Sequence, residues 1–127
     1  MTQPPGKVGL LLQRLAEFPG LDACALVDAD TGMTWHHAGR LHDMDRIGEV
    51  AVEFWRVHGR LAMHFKDFGG LNSAAYAFAH RVVALFPCSE APPLVLVCVA
   101  QKKNVAWSEW APHVLALRQA LAAAPLP

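Results

Sequence analysis

The sequence has no excess charge of either sign: eleven lysines and arginines against eleven aspartates and glutamates leave a formal net charge of zero. No basic run is longer than Lys102-Lys103. The electrostatic footprint of a nucleic-acid binder is therefore missing, and an anionic membrane surface is an equally poor partner. Charge of any kind is scarce, at 17% of residues where about 25% is usual. With 54% of residues hydrophobic, the expectation is that a partner covers part of the surface. Long apolar runs are absent too. The most apolar stretch, LVLVCVA at 94–100, is far short of the roughly 20 residues that a spanning helix needs, so no membrane insertion is expected. The opening MTQPPGKVGLLLQRL is broken at Gln13 and Arg14 and does not read as a secretory signal, which points to a cytoplasmic protein.

Cysteine is sparse and odd in number. Cys24, Cys88 and Cys98 make no CxxC spacing, and Cys24 and Cys98 fall inside apolar strand-like runs. They read as buried free thiols in a reducing compartment. Neither GxxxxGK[ST] nor GxGxxG occurs, so no phosphate cradle is expected. Of the seven histidines, His36, His37 and His42 lie closest together. Adjacent strand residues point to opposite faces, so His36 and His37 do not chelate one ion. His58 and His64 miss the i, i+4 spacing of a helical two-histidine site. Glu49 and Glu53 fall on a charged helix face beside arginines, away from any cleft that would raise one of their pKa values. No catalytic, cofactor-binding or metal site is expected, and the chain reads as non-enzymatic.

At 127 residues the chain is long enough for one core and one domain, with that core expected over about residues 8–123. Val8, Leu11, Leu12, Leu15 and Phe18 recur at helical spacing until Pro19-Gly20 stops them. Residues 23–28 and 33–37 read as strands flanking Asp28-Ala29-Asp30-Thr31-Gly32. Placed in a calcium-loop frame, that run puts Gly32 at position 5, Met33 at 6 and Gly39 at 12. The frame fails at all three. A hairpin turn with a bulge asks for such aspartates and a glycine able to take positive φ. A long helix follows over 43–66, with Asp43 as its N-cap and Gly69-Gly70 past its end. Residues 72–78, 81–87 and 94–100 read as three further strands, the last buried on both faces, and 107–124 as a final helix.

The long helix carries two kinds of surface. Asp45, Glu49, Glu53, Arg56 and Arg60 form a solvated arc, while apolar and small residues fill roughly 220°. One sheet does not cover so wide an arc. Phe54, Ile47 and Leu61 are expected on the chain's own sheet. That leaves Gly48, Val52, Trp55, Gly59 and Met63 as a flat strip for a second subunit, unless a terminal helix of the same chain covers it.

The order helix, two strands, long helix, three strands, helix resembles the roadblock/dynein light chain family, of longin- and profilin-related fold. LAEFPGLDACALVDADTGMTW supplies the helix ending in Pro-Gly and the Asp-rich hairpin. SAAYAFAHRVVALFPCSEAPPLVLVCVAQKKNVAW supplies a three-strand meander with Pro87 ending its second strand. The resemblance runs from about Leu10 to Leu121. It implies an α/β domain with a central five-stranded, mainly antiparallel sheet and helices on both sides. It further implies a homodimer with antiparallel long helices and joined edge strands, serving as a scaffold that binds or regulates a small Ras-like GTPase. The exposed loop at Lys102, Lys103 and Asn104 is a natural partner contact. A different reading is a small-ligand sensor with a pocket near Trp35, Tyr76 and Trp107.

Overall fold

The computed structural model describes residues 6–102 and 105–123. Three helices, α1 (Lys7–Ala16), α2 (Met44–Leu61) and α3 (Trp107–Ala123), surround five strands. The strands are β1 (Leu21–Asp28), β2 (Thr34–Gly39), β3 (Ala74–Ala77), β4 (Arg81–Glu90) and β5 (Pro93–Gln101). They form one sheet in the order β2-β1-β5-β4-β3, every neighbouring pair antiparallel. The element order is the one the sequence implies.

The two unbroken apolar runs become β1 and β5, two of the three inner strands, and each is buried on both faces. On β5, Leu94, Leu96, Cys98 and Ala100 pack with Cys24 and Leu26 of β1 against α1 and α3. Val95, Val97 and Val99 pack with Ala23, Ala25 and Val27 against α2. The sheet thus separates two cores. In the first, the Trp110 indole N–H donates to the Leu15 carbonyl at 3.4 Å and ties α3 to α1.

The acidic run forms the expected hairpin turn. One Asp28 carboxylate oxygen accepts the backbone N–H groups of Asp30 at 2.8 Å and Thr31 at 3.2 Å. Gly32 takes φ 78°, a region that side chains other than glycine's enter at a cost. From α2, Arg56 Nε donates to the Ala29 carbonyl at 2.9 Å, holding the turn against the helix.

Several boundaries differ from those the pattern suggests. The α-helical pitch ends at Leu61, not Lys66, and passes into a 3-10 segment, Ala62–Phe68. No residue of that segment is buried, so no packing holds the longer pitch. Pro87 does not end its strand. β4 runs on to Glu90, with its register against β5 shifting between Pro87 and Ser89, which is how a strand accommodates a residue without an N–H. β3 is trimmed to Ala74–Ala77. Pro112 stands inside α3, and Leu115 is exposed while Val114 and Leu117 are buried. Ala124 lies outside the described residues.

Candidate functional site

The side of α2 that lies on the sheet is built from small residues. A Cβ added to Gly48 would come within 2.8 Å of Val27 Cγ2 and 3.1 Å of Ala25 Cβ. Met44, Gly48, Ala51 and Val52 are buried. Close approach to β1 selects them, because larger side chains would hold the helix off Ala23, Ala25 and Val27. The strip Gly48, Val52, Trp55, Gly59 and Met63 is accordingly divided. Gly48 and Val52 face the chain's own sheet, Trp55 is half-buried beside that core, and Gly59 and Met63 are exposed.

About 120° further round the helix lies an apolar arc that is only partly covered: Ile47 and Phe54 pack at the margin of the sheet core as expected, whereas Leu61, expected there too, is exposed. Ile47, Val50, Phe54, Val57 and Leu61 succeed one another at intervals that alternate three and four, the spacing of a helix–helix seam. Val50 is 60% exposed, Val57 42% and Leu61 46%. Neither terminal helix reaches this strip, because α1 and α3 pack on the opposite face of the sheet. The sequence signal for it was the heptad spacing itself.

The strip borders the open edge of the sheet. β3 pairs with β4 alone, so its outer N–H and C=O groups are unpaired by any strand. Its sequence AAYA carries neither charge nor proline, the features that ordinarily guard an edge. A groove of about 340 Å3 runs between strip and edge, formed by Ile47, Val50 and Phe54 on one side and Phe78 and Val83 on the other, with Asp43 and Arg46 also lining it. Phe54 stacks on Tyr76, and His58 Nε2 lies 2.5 Å from the Tyr76 hydroxyl. Helix strip and sheet edge therefore form one continuous surface.

Other residues singled out by sequence are not brought together. Trp35 sits on β2 and Tyr76 on β3, at opposite edges of the sheet. Trp107 lies on the α1/α3 face, 5.2 Å from Trp110 between ring centroids. A shared pocket for the three does not exist. Lys102 is exposed, while Lys103 and Asn104 lie outside the described residues. Among the described residues no group of three or more His, Cys, Asp or Glu side chains is placed to hold a metal ion.

The buried polar groups are structural in setting. Cys24 and Cys98 face each other across β1 and β5 with sulfurs 3.2 Å apart. Burial, reinforced by the hydrogen bond and charge of Cys24, pushes the Cys98 thiol well up. Burial likewise pushes the Cys88 thiol from 9.0 to about 11, against a smaller lowering by the Arg118 charge. Thiolates, the reactive form, are thus suppressed. Asp22, which the sequence reading passed over, is buried and pairs with Arg81 Nε at 2.6 Å and Arg40 Nη2 at 3.6 Å. This joins the ends of β1, β2 and β4 around one carboxylate. No helix of the described residues is long and apolar enough to cross a membrane.

No family model matches the sequence, and no curated protein matches it. Solved structures do share its fold. A Roadblock/LC7 domain from Streptomyces avermitilis superposes with a TM-score of 0.75 at 15% identity, over 90% of this chain and 93% of that one. MglB of Myxococcus xanthus gives 0.72 at 16% identity, covering 94% of each chain. A structure of MglB with a tetrameric arrangement gives 0.72 at 16% identity, over 96% of this chain and 90% of that one. The fold is that of the roadblock domain.

Proposed function

We propose that the chain is a non-enzymatic regulatory scaffold. Two copies pack their α2 helices antiparallel and join their β3 edges, and the dimer binds or regulates a small Ras-like GTPase. The observation that carries this reading is the exposed Val50, Val57 and Leu61, flanked by the half-buried Ile47 and Phe54, lying beside the edge strand β3. Phe54 is midway along the strip, so a two-fold axis there sets Ile47 of one copy against Leu61 of the other. The same axis passes close to Tyr76, on which Phe54 stacks, and so close to the middle of β3. A single symmetry operation satisfies helix and strand together, as an isologous interface requires. Self-association is in keeping with the tetrameric arrangement described for MglB, which has this fold.

The GTPase half of the reading rests on the roadblock fold, and the non-enzymatic half on the suppressed reactivity of the buried thiols. Free buried thiols suit a reducing, cytoplasmic setting. Co-precipitation with small Ras-like GTPases, each loaded with GDP and with a GTP analogue, tests the partner. Retention in one nucleotide state supports it, and no retention in either state removes it. Lys102→Glu in the same assay reads whether the loop before α3 contributes.

A further inference from the structure

Where α2 passes into the 3-10 segment lies an open hollow of about 720 Å3, within the range of small-molecule sites. Leu61, Phe65, Phe68 and Leu71 give it an apolar wall. Its polar lining residues are His58, Lys66 and Asn72, and among the described residues no Asp or Glu lines it. Lys66 makes no ion pair among the described residues. Gly69, at φ 89°, turns the chain back over the hollow, and a Cβ at Gly69 or Gly70 would meet nothing within 4 Å. The mouth is open. The walls are tied to the domain on two sides: Arg118 Nη2 of α3 donates to the Asn72 carbonyl at 3.3 Å, and His58 meets Tyr76.

This segment contrasts with the rest of the fold. Every residue from 61 to 73 is exposed, with Phe68 at 84% and Met63 at 79%. Two phenyl rings, Phe65 and Phe68, stand 5.7 Å apart, and Lys66, from the same 3-10 segment, makes no ion pair among the described residues. An apolar chain gains by entering such a wall, and an anionic head gains from an unpaired cation where a cationic head would not.

We infer that this hollow binds an aliphatic carboxylate, with the hydrocarbon chain between Leu61, Phe65, Phe68 and Leu71 and the carboxylate on Lys66. The site goes beyond the scaffold reading and touches it only at Leu61, which belongs to both the hollow and the α2 strip. Occupancy is therefore placed to influence self-association, although binding itself can be read without a second copy or a GTPase.

The test is calorimetric titration of the full chain with dodecanoate below its micelle concentration. Dodecanol supplies the chain without the charge, and acetate the charge without the chain. One saturable site per chain for dodecanoate is expected, with weaker binding of dodecanol and none of acetate. Lys66→Gln is expected to weaken dodecanoate by about tenfold and to leave dodecanol unchanged, while Phe68→Ser weakens both. Both side chains are exposed, so each variant should keep the wild-type circular dichroism. Absence of saturable dodecanoate binding overturns the inference. So does binding that Lys66→Gln leaves untouched, or binding that perturbs backbone amide NMR signals only outside residues 58–72.

Discussion

Phe54 of α2 lies flat on Tyr76 of the edge strand, ring centroids 4.2 Å apart and planes inclined by 23°. The stack fixes the free helix strip to the open sheet edge, and the hydroxyl of the same tyrosine meets His58 Nε2. Tyr76→Phe keeps the ring and removes that hydrogen bond. A loss of about 1 kcal/mol in urea unfolding is expected. An unchanged midpoint would mean that water replaces the hydroxyl at no cost.

Two glycines of one helix should respond oppositely to alanine. At Gly48 the new methyl would collide with Val27 and Ala25, so Gly48→Ala is expected to cost about 1–3 kcal/mol by overpacking. At Gly59 nothing lies within 4 Å, and Gly59→Ala should stabilise by up to about 1 kcal/mol through helix propensity. Thermal unfolding of the pair reads this directly. Shifts of the same sign would mean that the two positions do not differ in packing.

These glycines also mark the limit of what could be read from sequence. The element order, the Asp28 turn and the burial of β5 on both faces follow from local signals: an Asx-type acceptor, a positive-φ glycine, an unbroken apolar run. The orientation of α2 does not. An apolar arc of roughly 220° can be laid on a sheet in more than one way, and a large side chain such as Leu61 looks like natural core although it is exposed. The choice is made by β1, whose Ala23, Ala25 and Val27 admit a helix only through Gly48, Ala51 and Val52. That is a tertiary preference with no local trace. The fade of α2 into a 3-10 segment is of the same kind, since Ala62–Phe68 keeps helical composition but packs on nothing. Asp22 escaped notice because its partners, Arg40 and Arg81, are brought to it only by the sheet.

Burial of the cysteines gives a pH dependence with a definite sign. Cys88 titrates near 9.0 when unfolded and at about 11 when folded, and Cys98 shifts in the same direction. Between these values the unfolded chain releases protons that the folded chain retains, so stability falls as pH rises from about 9 to about 11. Below pH 9 the contribution is fully present. Denaturant unfolding across this window should show a shallower slope for Cys88→Ala than for the native chain. Equal slopes would remove the thiol from the account. At pH 8 a thiol reagent should modify the native chain far more slowly than the denatured one.

The buried and free faces of α2 make a charge scan decisive. Val52 is 0% exposed in the α2 core, and Val52→Arg buries an unpaired charge, which is expected to cost several kcal/mol and to abolish cooperative folding. Val57, on the strip, has room for an arginine in the single chain. Loss of folding in Val57→Arg, or its retention in Val52→Arg, would reverse the assignment of the two faces.

The central claim is that the Ile47–Leu61 strip and the β3 edge are covered by a second copy, and solution mass by light scattering tests it most directly. The native chain is expected at twice the chain mass of 13.8 kDa. Val57→Arg is expected at the chain mass, with unchanged circular dichroism. A native monomer, or a dimer that Val57→Arg leaves intact, would contradict it.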